Sequence, residues 1–381
     1  MKVALNCLSG ATPTNGARVY LIKLAQALAN ISGLEIVLVV GRGDTQSLPG
    51  ELREMALELD VPPARSYRQI GQSRTISAAL RRANIDLLHL PNTLPPPWTK
   101  APTVVTIFDM AELRVRRYGK IRTAYRWLIN LASAHTSKAV ITISENSKSD
   151  IARYLRIDRD KITVTYLGVG EEFCPGSQQQ ARAITRQRLG LDRFFLVPGG
   201  IAANKNIEGA IKAFAQFRHH GGTDSLVITG AGAPGYAHSL RALCRDHGVD
   251  GQIVWTGCVQ RGELPTFYRA AVATVYPSFY EGFGLPILEA MASGCPVIAS
   301  NTSSIPEVAG NAAMLVDPHD TPGMTAAMES LAVNESIRQS LVERGLNRAA
   351  AFSWAGTALE THRVYESVMR ANTRAAHRSG A

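Results

Sequence analysis

The sequence predicts an α/β fold with two doubly wound parallel sheets, each in its own domain. Three observations lead to this prediction. Short apolar segments alternate with helix-like patterns as far as Val164, a polar stretch without a strand follows, and a second alternating series begins at Phe194. Because strands that alternate with helices form parallel sheets, ligand-binding residues are expected in loops at the carboxyl ends of the strands.

The first alternating series predicts a domain over residues 1–170. Its expected strands are short apolar runs at Met1–Leu8, Glu35–Val40, Asp86–Leu90, Thr103–Phe108, Ala139–Ile143 and Ile162–Val164. Its expected helices have apolar residues at helical spacing and run over Ala17–Asn30, Glu51–Leu59, Ser77–Ala83, Ile121–Ala134 and Glu145–Leu155.

The polar stretch Gly168–Leu189 contains Pro175, Gly176 and a run of glutamines, which are typical of a linker. We therefore expect a linker over residues 171–191 with a short helix, and a second domain over residues 192–352. The expected strands of that domain are Phe194–Pro198, Leu226–Thr229, Ile253–Trp255, Val272–Val275 and Pro296–Ala299. Its expected helices are Ile207–Phe217, Ala237–His247, Gly262–Ala270, Leu285–Ala292, Asp320–Leu331 and Ile337–Ala350, before a last helix that reaches about Ala371. Two such domains in tandem predict a cleft between them.

The composition indicates a globular protein of a reducing compartment. Of its 381 residues, 45% are hydrophobic and 19% are charged, which excludes a disordered chain. No apolar run reaches the roughly 18 residues that a spanning helix requires. The N-terminal KVALNCL is typical of a first strand rather than of a signal peptide. The five cysteines are scattered and never have C-x-x-C spacing, so we expect a cytoplasmic protein without disulfides or a zinc cluster.

The formal net charge is +10, and the densest basic segment runs from Arg114 to Arg126. No nucleic-acid motif or basic stripe with interleaved aromatic residues accompanies this charge, so no nucleic-acid partner is expected. Tyr118, Tyr125 and Trp127 lie beside the basic residues, a combination that suits an anionic membrane surface or a lipid pyrophosphate. A solvated helix face explains the same residues, and both interpretations stay open.

The most informative stretch runs from Tyr276 to Val316. A buried strand ends there, Glu281 and a Gly-Phe-Gly turn follow, and an amphipathic helix begins near Leu285. Free backbone N–H groups and the positive end of the helix dipole at such a point bind phosphate or sugar hydroxyls. Because a carboxylate repels phosphate, Glu281 and Glu289 are expected to hold neutral diols on either side of it. The stretch predicts a nucleotide-sugar site.

The run from Ser278 to Pro306, with the spacing Glu281-x7-Glu289, resembles the signature of the retaining GT-B glycosyltransferases (glycosyl transferases group 1), which include many bacterial mannosyl- and glucosyltransferases. The resemblance extends over essentially the whole chain. It implies a GT-B fold, sugar transfer from a nucleotide diphosphate with retention at the anomeric carbon, and a helix over residues 353–371 that packs back onto the first domain. It also implies that Glu281 binds hydroxyls of the donor sugar and that Glu289 binds the ribose diol.

Other residues receive roles from the same resemblance. Lys205 follows the first strand of the second domain, where a lysine neutralises a diphosphate leaving group, and its family counterpart contacts the pyrophosphate. The expected catalytic residues are Glu281, Lys205 and Asp109. The expected donor-binding residues are Gly16, Gly200, Asn204, Gly230, Val259, Gly282, Phe283, Gly284, Leu285 and Glu289. Among these, Gly16 would lie against the β-phosphate and the backbone at Val259 against the nucleobase.

A second glycine motif begins at Gly230 and has the spacing of a dinucleotide-binding loop. That interpretation requires an acidic residue at the end of the next strand, and none follows Trp255. A nicotinamide or flavin enzyme is therefore not expected, and the resemblance instead assigns Gly230 to the lining of the nucleotide pocket. No cofactor is expected, and no metal ion is required, because Lys205 and backbone dipoles would neutralise the diphosphate. Asp158-Arg159-Asp160 is interpreted as a surface turn and not as a metal site.

Two positions depart from the family pattern. Many relatives have His-Asp where this chain has Phe108-Asp109, and a phenylalanine cannot donate a hydrogen bond or carry charge. His89, at another strand end, is a candidate replacement, although a lone histidine in such a position is more often structural. Asn204 stands where arginine is common, so one cation is missing from the expected diphosphate site.

These inferences predict a hexosyltransferase of surface polysaccharide or lipopolysaccharide biosynthesis that uses GDP-mannose, with UDP-glucose as the alternative donor. Its acceptor is expected to be a glycan or a polyprenyl-diphosphate-linked glycan, and its location cytoplasmic and peripheral on the inner membrane face. A non-hydrolysing sugar-nucleotide epimerase would share the architecture but needs acids and histidines that the sequence does not place. A catalytically idle nucleotide-sugar-binding partner would explain Phe108 and Asn204 and also stays open.

Overall fold

The structure of the chain, a computed structural model, describes residues 1–8, 16–60, 69–91, 99–115 and 119–379. It divides into two compact units. The first comprises Met1–Met110, Tyr118–Gly168 and Ser353–Ala381, and the second comprises Ala111–Arg117 and Val169–Phe352, each so far as its residues are described. Apart from the short segment Ala111–Arg117, the polypeptide enters the second unit after Gly168 and returns to the first at Ser353.

Each unit contains a parallel sheet. The strands of the first are β1 (Lys2–Asn6), β2 (Glu35–Gly41), β3 (Ala56–Leu59), β4 (Leu87–Pro91), β5 (Thr103–Thr106), β6 (Ala139–Thr142) and β7 (Ile162–Val164). Those of the second are β8 (Phe194–Val197), β9 (Ser225–Thr229), β10 (Ile253–Gly257), β11 (Ala273–Tyr276), β12 (Val297–Ser300) and β13 (Met314–Val316). Within the described ranges, the strand orders are β3-β2-β1-β4-β5-β6-β7 and β10-β9-β8-β11-β12-β13. The predicted fold class, two doubly wound parallel sheets, is confirmed.

Helices connect the strands, as the alternating pattern predicts. The helices of the first unit are α1 (Gly16–Leu28), α2 (Gly50–Arg53), α3 (Gln69–Arg82), α5 (Lys120–Thr136), α6 (Glu145–Leu155) and α15 (Trp354–Ser379). Those of the second are α4 (Ala111–Arg114), α7 (Gln178–Leu189), α8 (Ile207–His219), α9 (Pro234–Asp246), α10 (Leu264–Ala270), α11 (Leu285–Ala292), α12 (Ile305–Ala309), α13 (Thr321–Val333) and α14 (Glu335–Ala350). Several begin at a side-chain cap: the Ser144 hydroxyl, for example, accepts a hydrogen bond from the Ser147 backbone at 3.0 Å.

Strand order reverses in each sheet beside the first strand of its unit. β1 lies between β2 and β4 in the first sheet, and β8 lies between β9 and β11 in the second. At such a switch point, the loops that leave the two neighbouring strands run to opposite sides and open a crevice outside the carboxyl ends of the strands. In the second unit these loops follow Val197 and Tyr276.

The predicted helix over Glu51–Leu59 is wrong in its second half. Helix α2 ends at Arg53, and the following residues form β3, which pairs in parallel with β2. Alanine, leucine and glutamate favour a helix by intrinsic propensity, but an open sheet edge supplies backbone partners that outweigh it. Glu58 also accepts hydrogen bonds from the Gly43 backbone N–H at 2.9 Å and the Thr45 hydroxyl at 2.7 Å. The short edge strand β13 is likewise absent from the sequence prediction.

The C-terminal helix α15 is part of the first unit. Gly168 permits a close approach there, because a Cβ on this residue would lie 2.1 Å from the Trp354 backbone nitrogen. The Thr357 hydroxyl donates to the Tyr166 carbonyl at 2.6 Å. Tyr365 is fully buried in the same unit, so the helix contributes to its core.

Aromatic rings pack against one another in the core of the second unit. The rings of Phe195 and Phe217 pack edge to face with centroids 5.4 Å apart, and Phe214 packs beside them.

Among the helices of the described residues, none combines the length and the apolar character that a bilayer crossing requires.

Candidate functional site

The switch point of the second sheet brings together two residues that are 76 positions apart in the chain, Lys205 and Glu281. Lys205 lies in the loop after β8, and Glu281 lies in the loop after β11. The Lys205 Nζ is 2.7 Å from the Glu281 Oε1 and 2.7 Å from the hydroxyl of Tyr276, the last residue of β11. The sequence predicted both charged residues for one site, and the topology of the sheet explains why they meet.

Two asparagines fix the loop that carries Lys205. Asn206 has a left-handed backbone with φ of 51°, caps α8 by accepting the Gly209 N–H at 3.2 Å, and donates its amide to the Pro318 carbonyl at 2.7 Å. Asn204 accepts the Phe279 N–H on its carbonyl at 2.8 Å and donates its side-chain amide to the Tyr280 carbonyl at 3.4 Å. Asn204, at the position where the family resemblance implies arginine, therefore ties the two loops together.

Lys205 and Glu281 are largely shielded from water. Their side chains are 21% and 13% exposed, and Tyr276 is buried. The lysine ammonium also lies 4.9 Å from the centre of the Tyr276 ring, in range for a cation–π contact. Burial, and secondarily the charge of Glu281, raise the pKa of Tyr276 well above its ordinary value, so the phenol stays protonated. The cluster therefore presents one cation and one carboxylate to a ligand, and the cation is held by Tyr276 and Glu281.

Two serines hold the glycine turn at the start of α11. The Glu281 backbone N–H donates to the Ser303 hydroxyl at 3.0 Å, and the Ser304 hydroxyl donates to the carbonyls of Glu281 at 3.0 Å and Phe283 at 2.9 Å. Gly284 has φ of 107°, which a side chain would disfavour. In the described part of the chain, no side chain caps the N-terminus of α11. Its first turn therefore presents backbone dipoles at the predicted anion-binding position.

The other predicted residues of this turn differ in exposure. Gly282 and Gly284 are buried, Leu285 is half-buried, and the buried Phe283 ring packs edge to face on Phe352 at 5.9 Å. Phe283 therefore anchors the turn to the unit's core.

Glu289 lies on α11 and is buried. Its Oε1 is 3.0 Å from the Arg261 Nη1, and its Oε2 accepts a hydrogen bond from the Tyr268 hydroxyl at 3.2 Å. Arg261 also donates through Nε to the Glu172 Oε1 at 2.8 Å. Burial raises the pKa of Glu289, and the Arg261 guanidinium acts in the opposite direction. Sequence reasoning predicted Glu289 but missed these partners.

Glycines allow the loops after β8, β9 and β10 to touch. A Cβ on Gly230, whose φ is 94°, would lie 1.9 Å from the Gly199 carbonyl oxygen, and one on Gly200 would lie 3.6 Å from the Ala231 carbonyl oxygen. The Gly230 N–H donates to the Gly257 carbonyl at 2.7 Å. Val259, two residues further on, is half-buried. The predicted pocket-lining glycines are thus places where backbone packs on backbone.

The remaining predicted site residues belong to the first unit. Gly16 is exposed at the start of α1, and Asp109 is half-buried just after β5. Asn15, which precedes Gly16, lies outside the described residues. The Phe108 ring packs edge to face on Tyr20, with centroids 5.0 Å apart, so the residue that replaces the family histidine is engaged in an aromatic contact.

His89 has a structural role. It is fully buried, its Nδ1 is 2.6 Å from the Tyr365 hydroxyl, and its Nε2 is 2.6 Å from the Thr106 hydroxyl. The Thr106 hydroxyl is also 3.0 Å from the Tyr20 hydroxyl. Burial lowers the pKa of His89 to about 3, so the ring is neutral. The hypothesis that His89 replaces the missing family histidine is wrong, because both ring nitrogens are used inside the core.

Sequence reasoning missed Tyr276, Tyr268, Arg261, Ser303 and Ser304. Tyr276 had a usable signal, since it is the last residue of a strand at a switch point. Arg261 and the serines had none, because their partners are distant in sequence. Among the described residues, no group of three histidine, cysteine, aspartate or glutamate side chains is placed to hold a metal ion.

Comparison with known proteins gives matches along most of the chain. Residues 14–173 match the family Glycosyltransferase Family 4, and residues 182–348 match the family Glycosyl transferases group 1. The chain is 32% identical over 305 residues to O-antigen chain mannosyltransferase B of Escherichia coli, and the alignment covers 79% of each protein.

Solved structures give the same picture. The chain is similar to sucrose-phosphate synthase from Thermosynechococcus elongatus, with a TM-score of 0.79 at 20% identity, over 97% of this chain and 100% of that one. It is also similar to Anabaena HepE in complex with UDP and glucose, with a TM-score of 0.74 at 17% identity, over 96% of this chain and 100% of that one. At these identities the likeness concerns the fold.

Proposed function

This chain belongs to the group 1 glycosyltransferases and has their GT-B fold, and from that premise we propose that it transfers a hexose from a nucleotide-diphosphate sugar with retention of anomeric configuration. The Lys205–Glu281 pair, outside the carboxyl ends of β8 and β11, carries the proposal. A cation and a carboxylate side by side suit a ligand that joins an anionic diphosphate to a neutral sugar.

In the proposed reaction, positive charge stabilises the diphosphate as it departs. Lys205 and the backbone N–H groups at the start of α11 supply this charge, and they are positioned before the substrate arrives. Glu281 accepts hydrogen bonds from hydroxyls of the donor sugar, and Glu289 accepts them from the ribose diol. Gly16 and Asp109, in the first unit, are proposed to contact the donor phosphate and the reacting sugar. With Lys205 in this role, the reaction as proposed draws on no metal ion.

For the donor we propose GDP-mannose, because the relative that is 32% identical is called an O-antigen chain mannosyltransferase. UDP-glucose is the alternative, since HepE is described in complex with UDP and glucose. The acceptor is proposed to be a glycan, free or linked to a polyprenyl diphosphate, in the synthesis of a surface polysaccharide or lipopolysaccharide.

A lipid-linked acceptor suits the exposed face of α5. Ile121 is 89% exposed and Leu128 is 54% exposed, and seven residues along a helix place them about two turns apart on one face. Lys120 and Arg122 are exposed beside Ile121. Arg116, Arg117 and Tyr118, from the predicted basic segment, lie outside the described residues. We propose peripheral contact with an anionic membrane on its cytoplasmic side.

Calorimetric titration with GDP-mannose, UDP-glucose, ADP-glucose and dTDP-glucose tests the donor. We expect a single clear binder, followed by release of the nucleoside diphosphate when the correct acceptor is added. Glu281→Ala should abolish transfer and keep the fold, while Glu329→Ala, which removes the same charge from an exposed pair with His220, should change neither. Donor binding without transfer to any acceptor would favour the idle-partner alternative.

The membrane contact has its own test. The double variant Ile121→Ser, Leu128→Ser should bind vesicles containing phosphatidylglycerol at least tenfold more weakly than the wild type. Val333→Ser is the matched control, because Val333 is 84% exposed on the second unit. Equal loss of binding in the control would contradict the assignment to α5.

A further inference from the structure

Glu289 is the innermost member of a short chain of charges. Its two oxygens are held by Arg261 at 3.0 Å and by Tyr268 at 3.2 Å. Arg261 in turn donates to Glu172 at 2.8 Å, and its guanidinium lies 4.9 Å from the centre of the Phe173 ring. One arginine therefore lies between two carboxylates, of which Glu289 is buried and Glu172 is 29% exposed.

Both partners of Glu289 come from one segment. Arg261 begins a tight turn directly before α10, and Tyr268 lies on α10 itself. The turn is closed by a capping box between Gln260 and Glu263, and Glu263 is also 2.5 Å from Arg188. Val259, which the family resemblance assigns to the nucleobase, immediately precedes this turn. The base and ribose contacts of the proposed site are thus joined through a single segment.

The other end of the network lies near the start of the second unit. Glu172 and Phe173 lie only a few positions after Val169, where the long segment of the second unit begins. The Nε of Arg261 contacts Glu172, and Phe173 lies against the guanidinium face. Because the guanidinium is planar, contacts on its edge and its face together fix its orientation.

We propose that Arg261 is a positioning residue for nucleotide binding, which orients Glu289 to accept the ribose hydroxyls and is itself held in place by Glu172 and Phe173. The inference rests on the proposed function in one respect, the assignment of the ribose to Glu289. An ionised carboxylate can accept hydrogen bonds from both ribose hydroxyls, whereas a protonated carboxyl has one O–H group that is itself a donor.

The charge of Glu289 depends on its surroundings. Burial raises the pKa of the Glu289 carboxyl, and the nearby carboxylate of Glu172 acts in the same direction. Arg261 and the hydroxyl of Tyr268 act against it. Tyr276 also faces this region, and burial raises its pKa well above its ordinary value, so it remains neutral. The Arg261 guanidinium is accordingly the charge that opposes the rise in the Glu289 pKa, and its removal should raise that pKa further.

The first experiment needs no ligand. Thermal unfolding of the wild type, Arg261→Gln, Glu289→Gln and the double variant is measured between pH 5.5 and 8.5. Removing one partner of a buried pair is costly, so Arg261→Gln should lower the Tm by roughly 5 °C or more at pH 8.5 and by clearly less at pH 5.5. The physical reason is that protonation of Glu289 removes its unpaired charge, and the double variant should not show this pH dependence.

The second experiment separates positioning from folding. Titrations with GDP and 2′-deoxy-GDP compare a nucleotide that has the full ribose diol with one that lacks a hydroxyl. The wild type should prefer GDP by about tenfold, the equivalent of one hydrogen bond to a charged group. Arg261→Gln should reduce this preference, and more strongly at pH 6 than at pH 8.5, whereas Arg261→Lys should keep more of it.

Arg188→Gln is the matched control, because Arg188 pairs with Glu263 of the same turn, whereas Glu289 pairs with Arg261. It should keep the GDP preference at both pH values. Equal weakening of both nucleotides by Arg261→Gln, independent of pH, would overturn the positioning role. If the wild type binds neither GDP nor UDP, the proposed donor site is wrong and the ribose role with it, whereas the unfolding data still report whether Arg261 and Glu289 are coupled.

Discussion

The Lys205–Glu281 pair allows a quantitative test of the proposed site. The Lys205 Nζ and the Glu281 Oε1 are 2.7 Å apart, which at an effective dielectric constant of about 20 corresponds to an attraction of roughly 6 kcal/mol. Partial burial offsets most of this value, since the side chains are only 21% and 13% exposed. A hydrogen bond between charged groups contributes about 1.5–3 kcal/mol net, so we expect a coupling energy of about 2 kcal/mol.

A double-mutant cycle measures this coupling. Denaturant unfolding of the wild type, Lys205→Met, Glu281→Gln and the double variant gives the interaction term directly. The double variant should be less destabilised than the sum of the single variants by about 2 kcal/mol. Tyr276 remains in contact with whichever partner is left, so the single variants should still fold.

The same variants separate the proposed roles. In Glu281→Gln, Lys205 loses its neutralising partner, so GDP affinity should stay constant or rise while turnover falls by about 10²–10³-fold. In Lys205→Met, GDP affinity and turnover should both fall. Normal turnover of Glu281→Gln would show that the pair has no role in transfer, and a coupling energy near zero would show that the two charges do not stabilise each other. Either result would refute the reasoning.

Three further predictions concern the fold around the site. Gly230→Ala should lower the free energy of unfolding by more than about 2 kcal/mol, because Gly230 has a positive φ and the new methyl group would collide with the backbone of Gly199. Gly235→Ala, with open space around it, should be nearly neutral in chemical unfolding. The pKa of His89 is lowered to about 3, so between pH 6.5 and about pH 3 its ring takes up a proton in the unfolded chain but not in the folded one. As the pH falls through this range, the free energy of unfolding should decrease by about 1.4 kcal/mol per pH unit. His89→Gln should reduce that slope in acid unfolding curves. Tyr276→Phe keeps the ring beside Lys205 but removes the hydroxyl, so it should cost about 1 kcal/mol of stability; no change would show that the hydroxyl contact is unimportant.

The parallel sheets could be predicted from the sequence because each strand has a local sequence pattern. Strands such as β5 and β11 are buried apolar runs followed by turn residues, and that pattern can be identified without knowing any partner. It failed for β3, whose residues favour a helix and become a strand only through pairing with β2. An edge strand depends on a neighbour that local propensity does not contain.

The residues of the candidate site also fall into two groups, those that local sequence predicts and those that depend on tertiary contacts. Glu281, Lys205 and Glu289 were predicted, because each follows or lies near a strand end and because the resemblance to a family marks them. The partners of Glu289, Arg261 and Tyr268, were not, since nothing in their local sequence indicates a buried carboxylate. The two asparagine contacts that tie the Lys205 loop also depend on residues far along the chain.

Residue type and spacing along short segments were sufficient to predict the fold class, the glycine turn before α11 and the two glutamates that flank this turn. The folded chain was needed to see that Glu281 is paired with Lys205, that Glu289 is buried between Arg261 and Tyr268, and that His89 belongs to the core. These features could not be predicted, because the charge and orientation of a side chain depend on burial and on partners from distant parts of the chain.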